Sequence, residues 1–172
     1  LLDDCKNFEI DILKPDVNKS QLNFVNHGDN EILYGLGAVK GLGKAAIENI
    51  ISEREQKPFE NLYDFCSRVD LSKVDKRGIE PLIKCGAMDS FNLSRKEMLE
   101  SLEGAMKYAK QNTMTQESGI SDLFGGISES NDFIPVKKDK YDDFANSKFE
   151  FSALGFYLET HPVKEHYWEL KK

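Results

Sequence analysis

Cysteine is scarce in this chain and is not arranged for a structural role. The 172 residues include three cysteines, Cys5, Cys66 and Cys85, which are odd in number and far apart. No pair forms a C-x-x-C motif and no histidine lies beside them, so neither a disulfide framework nor a zinc site is implied. Cys66 and Cys85 lie among apolar residues with helical spacing, which predicts buried thiols in a reducing, cytoplasmic setting.

Long apolar runs and an excess of positive charge are also missing. No segment approaches the about 18 apolar residues of a membrane span, and no signal-peptide pattern is present, so we expect no membrane partner. The net charge of −7 argues against adhesion of the whole surface to nucleic acid. A local basic patch is compatible with it, because screening at physiological salt acts over about 8 Å. The chain opens without methionine and ends within an unfinished pattern, so we expect it to be part of a longer protein.

The most distinctive part of the sequence is the stretch of residues 36–54. It predicts a short helix, a tight hairpin at Gly41 and Gly43, and a second helix whose first amides point outward. Both glycines can adopt positive φ, and the dipole of the following helix makes its N-terminus positive. No acidic residue interrupts the hairpin, and Lys40 and Lys44 flank it. The combination predicts a site for a nucleic-acid phosphate.

This pattern closely resembles the helix-hairpin-helix motif, which binds the sugar-phosphate backbone without reading base sequence. A dinucleotide-binding turn would need a preceding strand, a third glycine and an acid about 20 residues on, and Ala46 stands where the third glycine belongs. The other alternative is a tight inter-helix turn whose glycines only allow close packing, and it stays open. The predicted DNA contacts, including one from a second hairpin, are Val39, Lys40, Gly41, Leu42, Gly43, Lys44 and Arg95.

Residues 73–90 and the helix after them are predicted to have the same order of helix, turn and helix, with fewer glycines. A helix is predicted to end at Gly86, and Asn92 or Ser94 caps the next helix, with Glu97 completing a capping box for Ser94. We interpret this segment as a degenerate second helix-hairpin-helix, and a pair of such motifs would match the two backbones of a duplex. Whether the second hairpin contacts DNA stays open. The helix that follows it has an amphipathic stripe of Met98, Leu99, Leu102, Ala105, Met106 and Ala109.

Four segments are predicted along the chain. Residues 1–34 contain a β-hairpin with its turn at residues 27–30. Residues 35–110 form the helical DNA-binding domain, residues 111–140 are a polar linker, and residues 141–172 are a helical segment. The predicted fold class is therefore mainly α: a tandem helix-hairpin-helix bundle with a small N-terminal β-hairpin and a flexible linker.

Five collinear segments together resemble the C-family replicative DNA polymerases of bacteria. They are LKPDVN at 13–18, YGLGAVKGLG at 34–43, LYDFCSRVD at 62–70, LIKCGAMD at 82–89 and ALGFYLETHP at 153–162. The resemblance implies that the chain spans the end of the fingers, the tandem helix-hairpin-helix region that binds duplex DNA, and the approach to an OB-fold domain. Pro81 departs from the family, because it interrupts what the family has as a continuous helix.

The resemblance also implies that residues 120–124 occupy the place of the motif that binds the sliding clamp. That motif is usually a glutamine followed by a short run ending in Leu-Phe. Ile120, Asp122, Leu123 and Phe124 are therefore candidate clamp-binding residues, with Ile120 standing where the glutamine is expected. From the residues alone, this apolar island could instead fold back onto the domain.

Catalysis is not expected from this piece. The catalytic aspartates of the family's palm domain have no counterpart here, and phosphoryl transfer needs clustered carboxylates that hold two metal ions. The resemblance implies that the parent protein performs template-directed DNA synthesis with magnesium ions. The piece itself needs no cofactor, although hairpin carbonyls could hold a structural potassium ion. The implied partners are a primer-template duplex, the sliding clamp and other replicase subunits.

Two interpretations from other classes stay open. One is a base-excision glycosylase with Lys44 as the nucleophile and Asp64 as the acid, although a base-flipping pocket is missing from the sequence. The other is a protein–protein interaction module of the replisome, in which the hairpin packs against neighbouring domains and makes no direct DNA contact.

Overall fold

The computed structural model describes Cys5, residues 8–117 and residues 143–158. Three short strands come first: β1 (Asp11–Leu13), β2 (Val25–Asn26) and β3 (Glu31–Leu33). The helices that follow are α1 (Lys44–Gln56), α2 (Leu62–Arg68), α3 (Lys76–Lys84), α4 (Arg95–Glu117) and α5 (Asp143–Leu154). Single 3-10 turns at Leu36–Ala38 and Asp89–Phe91 lie shortly before α1 and α4. The prediction of a mainly α fold with a small N-terminal sheet is confirmed.

The sheet is larger than the predicted hairpin because a third strand pairs with it. β2 and β3 are antiparallel, with Val25 opposite Leu33, and their connection lies at residues 27–30 as predicted. β1 joins the other edge of β3 in parallel, with Asp11 opposite Glu31. The sheet ends just before the glycine-rich stretch and so fixes where that stretch begins.

One contiguous apolar cluster joins the helices. α2 packs on α4, and α3 packs on both α4 and α5. At the centre the Phe65 ring lies 4.8 Å from that of Phe59 and 6.5 Å from that of Phe91, centroid to centroid. Each fully buried aliphatic or aromatic side chain contributes about 1.5–3 kcal/mol. The fully buried members include Leu36, Ile47, Ile50, Leu62, Ile79, Leu82, Ile83, Met88, Met98 and Leu102.

α3 continues through Pro81, the residue that the family resemblance marks as an interruption. The loss is limited to one backbone hydrogen bond, because a proline lacks the N–H that would bond to the carbonyl of Arg77. The carbonyl of Pro81 still accepts a hydrogen bond from the N–H of Cys85 at 2.9 Å. Asp75 caps the helix start by accepting from the N–H of Gly78 at 3.0 Å. The helix is therefore unbroken, and the Arg77 carbonyl lies near the first hairpin.

α4 reaches Glu117, past the residue at which the composition predicts the linker to begin. Residues 111–117 are helical, and the rest of the predicted linker lies outside the described residues. α5 lies within the predicted C-terminal helical segment. None of the described helices is long and apolar enough to cross a membrane.

Two of the cysteines are buried, as their apolar setting predicts. Cys66 and Cys85 are 1% and 0% exposed, and Cys5 is half-buried. Burial raises the pKa of the Cys66 and Cys85 thiols to about 12. Both thiols are therefore uncharged and unreactive at neutral pH.

Candidate nucleic-acid interface

The first hairpin begins at the 3-10 turn of Leu36–Ala38 and ends at the start of α1. The short helix predicted before the hairpin is only this one turn. Gly37 packs so closely on the preceding chain that a Cβ would lie 2.7 Å from the carbonyl oxygen of Leu22. The N–H of Gly37 donates to that same oxygen at 2.9 Å. These contacts hold the turn against the preceding chain at Leu22.

The two glycines of the hairpin serve different purposes. Gly41 has a φ of +85°, a left-handed conformation that residues with a side chain rarely adopt. Gly43 has a φ of −79° and a ψ of 156°, so the positive φ expected of both glycines occurs at Gly41 alone. No described atom lies within 4 Å of the position that a Cβ on Gly43 would take. Gly43 therefore leaves open space in front of the α1 N-terminus.

Leu42 anchors the loop from the inside. Its side chain is 9% exposed, and its Cδ1 lies 3.3 Å from the position of a Cβ on Gly78 in α3. Gly41 lies over the next turn of α3, where a Cβ would be 3.5 Å from both the Arg77 carbonyl oxygen and Pro81 Cγ. The loop is thus seated on α3 by its apolar residue, and its glycines are exposed.

The N-terminus of α1 has no cap of its own. Gly43 is the N-cap residue, no side chain satisfies the first amides, and no acidic residue lies in the first turn. Within the described residues, the N–H groups of Gly43, Lys44 and Ala45 have no acceptor, and all three residues are exposed. Unsatisfied amides at the positive end of a helix dipole form an anion-binding site.

Three exposed cations belong to this loop or to the turn of α3 beneath it: Lys40, Lys44 and Arg77. The ammonium of Lys44 lies 3.6 Å from Glu48, and this pair is weak because both side chains are mostly exposed. Within the described part of the chain, Lys40 and Arg77 form no ion pair. Sequence reasoning missed Arg77 as a member of this site. No sequence signal marks Arg77 as part of this site; it is near the loop because its carbonyl, freed by the missing N–H of Pro81, lies beside Gly41.

Some of the residues predicted to contact DNA instead pack in the core or use their backbone N–H groups in hydrogen bonds within the protein. Val39 is 2% exposed, so its side chain belongs to the core like that of Leu42. The N–H of Leu42 bonds back to the Val39 carbonyl at 3.4 Å. The N–H of Lys40 donates to the carbonyl of Ala153 in α5 at 2.9 Å. The N–H of Lys40 is thus used within the protein, whereas the N–H groups of Gly41 and of the first residues of α1 have no acceptor among the described residues.

The second hairpin is filled by its own side chains. The Arg95 guanidinium donates to both carboxylate oxygens of Asp89 at 2.8 and 3.1 Å, and to the Lys84 carbonyl at 3.3 Å. The Lys14 ammonium donates to the same carboxylate at 2.8 Å. The Arg95 side chain is 10% exposed, and a Cβ on Gly86 would overlap its guanidinium. Arg95 therefore holds the loop together. Its guanidinium is largely buried and is paired with Asp89, so it is not presented to DNA as the prediction requires.

The start of α4 is closed as well. Ser94 Oγ accepts from the N–H of Glu97 at 3.2 Å and Glu97 Oε2 accepts from the N–H of Ser94 at 2.8 Å, which confirms the predicted capping box. Burial by itself would raise the pKa of Asp89, but hydrogen bonds from Arg95 and Lys14 outweigh it and hold the pKa below its usual value. Asp89 and Glu97 thus place negative charge where the first hairpin has none.

The other predicted residues fall into two groups. Outside the described residues lie the four candidate clamp contacts, Ile120, Asp122, Leu123 and Phe124, which stay predictions. Asp64, the acid of the glycosylase alternative, accepts hydrogen bonds from the N–H of Glu60 at 3.0 Å and from Arg68 at 3.3 Å. Within the described ranges, no group of three His, Cys, Asp or Glu side chains is placed to hold a metal ion.

A glycine hairpin followed by an uncapped, exposed helix N-terminus is the arrangement expected of a helix-hairpin-helix motif. A family model described as the helix-hairpin-helix motif matches residues 9–98. The chain therefore belongs to the helix-hairpin-helix family.

Over its whole length the chain is also similar to the alpha subunits of DNA polymerase III. It is 36% identical over 176 residues to the protein of Vibrio cholerae, 35% over 197 residues to that of Pseudomonas aeruginosa and 34% over 176 residues to that of Escherichia coli. These matches cover 100% of this chain and 15–16% of the relatives. The resemblance to the C-family replicative polymerases is thus confirmed, and the chain spans about one sixth of the length of the curated relatives.

Proposed function

We propose that this chain is a noncatalytic, duplex-DNA-binding segment of a DNA polymerase III alpha subunit. The single observation that carries this conclusion is the open N-terminus of α1, where the N–H groups of three exposed residues have no acceptor among the described residues. A phosphate oxygen is the ligand that such a helix end binds best. The family match and the names of the similar proteins agree with a nucleic-acid partner.

The binding mode follows from the geometry. The amides of Gly43, Lys44 and Ala45 donate to one phosphate group, and Lys40, Lys44 and Arg77 neutralise that phosphate and its neighbours. Contacts of this kind fix a protein on the sugar-phosphate backbone and carry no sequence information. The logarithm of the affinity should therefore fall with the logarithm of salt concentration, by about 0.9 per phosphate neutralised.

Gly43→Ala is the sharpest test of this mode. The new methyl group would meet no described atom within 4 Å, so the free energy of unfolding should change by only a few tenths of a kcal/mol. A phosphate bound by the α1 amides would nevertheless have to approach this methyl, because Gly43 is the N-cap residue of the helix. Loss of one charge-assisted hydrogen bond of about 1.5 kcal/mol corresponds to about tenfold weaker duplex binding, measured by fluorescence anisotropy.

Lys44→Ala and Lys57→Ala form a matched pair for the charge contribution. Lys57 is exposed and lies at the opposite end of α1, about 20 Å from Gly43 by the helix rise. Lys44→Ala should lower the salt slope by about 0.9, and Lys57→Ala should leave it unchanged. If neither Gly43→Ala nor Lys44→Ala weakens duplex binding, the hairpin is an interaction surface for other proteins and this function is wrong.

The finer features follow from the resemblance and concern residues outside the described ranges or the parent protein. Leu123→Ala with Phe124→Ala should abolish binding to the sliding clamp and leave duplex binding intact.

Template-directed synthesis, its magnesium ions and the other replicase subunits belong to the parent, and the hairpin potassium ion stays a prediction. Borohydride treatment on an abasic duplex should give no covalent adduct, and an adduct at Lys44 would favour the glycosylase alternative.

A further inference from the structure

The C-terminal end of α5 touches the first hairpin at one of its cationic residues. The N–H of Lys40 donates to the carbonyl of Ala153 at 2.9 Å. α5 ends at Leu154, and Gly155 follows with a φ of +90°. The N–H of Gly155 donates to the Phe151 carbonyl at 2.8 Å. A glycine in the left-handed conformation is a common way for a helix to end.

Gly155 also leaves the space that the Lys40 side chain occupies. A Cβ on Gly155 would lie 2.9 Å from Lys40 Nζ and 3.2 Å from Lys40 Cε. The ammonium therefore lies near the carbonyl end of α5, where the helix dipole is negative. A backbone hydrogen bond thus holds Lys40 at this helix end, and its side chain lies against Gly155.

This helix end is a firm support because it is itself packed into the core. Leu154 is 6% exposed, and the ring of Phe156 lies 5.6 Å from that of Tyr34, centroid to centroid. The N–H of Leu158 donates to the buried carboxylate of Glu150 at 2.8 Å, which ties the residues after the helix back to it. The first hairpin therefore rests on α3 from one direction and on α5 from another.

Building on the proposed function, we propose that Gly155 is a positioning residue for DNA binding and that it acts through Lys40. A lysine side chain has many rotamers, and holding it in one geometry for a phosphate costs conformational entropy. The contact with α5 restricts Lys40 and its loop before the phosphate arrives, and such pre-organisation increases affinity. Gly155 is required because any β-carbon at this position would displace the Lys40 ammonium.

Gly155→Ala in the full chain tests this role by titration with a fluorescent duplex over a range of salt concentrations. Affinity should fall by about three- to tenfold while the salt slope keeps its value, since the substitution removes no charge. The Lys40 amide should exchange faster with solvent, because its hydrogen bond to Ala153 loosens. Lys40→Ala should instead lower the salt slope by about 0.9.

The double variant separates a positioning role from a general loss of structure. In the Lys40→Ala background, Gly155→Ala should cause no further loss of affinity. An equal loss in both backgrounds, or no loss in either, overturns the role of Gly155. If Gly155→Ala does not fold, Gly155→Asn replaces it in the cycle, because asparagine tolerates a positive φ but still carries a β-carbon.

Two variants at the start of α1 distinguish failure here from failure of the proposed function. If Gly43→Ala and Lys44→Ala weaken duplex binding and the Gly155 variants do not, only the positioning role is wrong. If all of these variants bind the duplex as tightly as the unsubstituted chain, the proposed function is wrong as well.

Discussion

The two hairpins share an order of elements, but the first is open to an anion and the second is closed. Each contains a glycine of positive φ, Gly41 in the first and Gly86 in the second. The first leads into a helix with no side-chain cap and no acid in its first turn. In the second, Arg95 fills the loop and Glu97 completes a capping box. Glycines thus shape both loops, whereas the side chains at the helix start decide whether a phosphate can reach the amides.

The hairpins also differ in how distant parts of the chain brace them. In the first, α5 holds Lys40 through a backbone hydrogen bond and leaves the side chain exposed. In the second, Lys14 comes from the segment after β1 and binds the Asp89 carboxylate, so that its charge is used within the protein. A hydrogen bond from the Lys40 backbone leaves the Lys40 ammonium available to a ligand, whereas the ion pair with Asp89 uses the charge of Lys14.

Arg95→Ala should give the largest effect on stability and the sharpest test of the closed hairpin. Removing one partner of a buried ion pair costs about 3 kcal/mol. The Asp89 side chain is 29% exposed and keeps Lys14 as a partner, so we expect a loss of about 2 kcal/mol in the free energy of unfolding, measured with urea.

The matched control is Lys57→Ala, which breaks an ion pair whose side chains are both 61% exposed and should cost under about 0.5 kcal/mol. The salt slope of duplex binding should be the same for Arg95→Ala as for the unsubstituted chain. A stable Arg95→Ala variant with a lower slope would place Arg95 on the DNA and end the distinction between the hairpins.

Lys44→Glu makes the start of α1 resemble that of α4, whose first turn contains Glu97. The acid would repel a phosphate from the α1 amides, so duplex affinity should fall by at least about tenfold at about 50 mM salt. Lys57→Glu makes the same change of charge at the far end of α1 and should have little effect. Similar losses for both variants would mean that net charge, and not an open helix end, controls binding.

Gly41→Ala tests whether the first hairpin needs its positive φ. Alanine at a φ of +85° should lower the free energy of unfolding by about 1–2 kcal/mol, although its methyl would meet no atom closer than 3.5 Å. Urea unfolding of Gly43→Ala provides the comparison, since its φ of −79° suits alanine. Equal destabilisation by the two substitutions would contradict the division of roles between these glycines.

Asp89 should make the stability of the second hairpin depend on pH. The pKa of Asp89 is lower in the folded chain than its ordinary value, so its contribution is complete above about pH 4 and is lost as the pH falls through the folded pKa. The unsubstituted chain should therefore lose more stability than Asp89→Asn between about pH 5 and pH 2 in urea titrations. The same pH dependence for both chains would show that the Asp89 ion pairs add nothing to the closed loop.

Features that depend on residues close in the sequence could be predicted. The capping box joins Ser94 to Glu97, and the connection at residues 27–30 joins two short strands. The helices follow from apolar residues at helical spacing, and the same pattern predicted that Cys66 and Cys85 are buried. In each case the relevant contact or periodicity lies within a few residues, so local chemistry determines it.

Features that depend on distant contacts could not be predicted from the sequence. β1 pairs with β3 in parallel, and no turn signal links the two strands. α5 meets Lys40 from the opposite end of the described chain, and the Arg77 carbonyl lies beside Gly41 only because α3 packs under the first hairpin. Hydrophobic periodicity states which face of a helix is buried, but it does not state which segment covers that face.

The contact between Leu42 and Gly78 makes two positions in different hairpins depend on each other. Because Leu42 Cδ1 lies only 3.3 Å from where a β-carbon on Gly78 would be, a larger residue at 78 calls for a shorter one at 42. We expect these two sites to covary in related chains, while the solvent-facing positions of the loop vary independently of them. Substitutions at the solvent-facing positions could then change the affinity for a polyanion, while the contact between Leu42 and Gly78 keeps the loop at the same distance from α3.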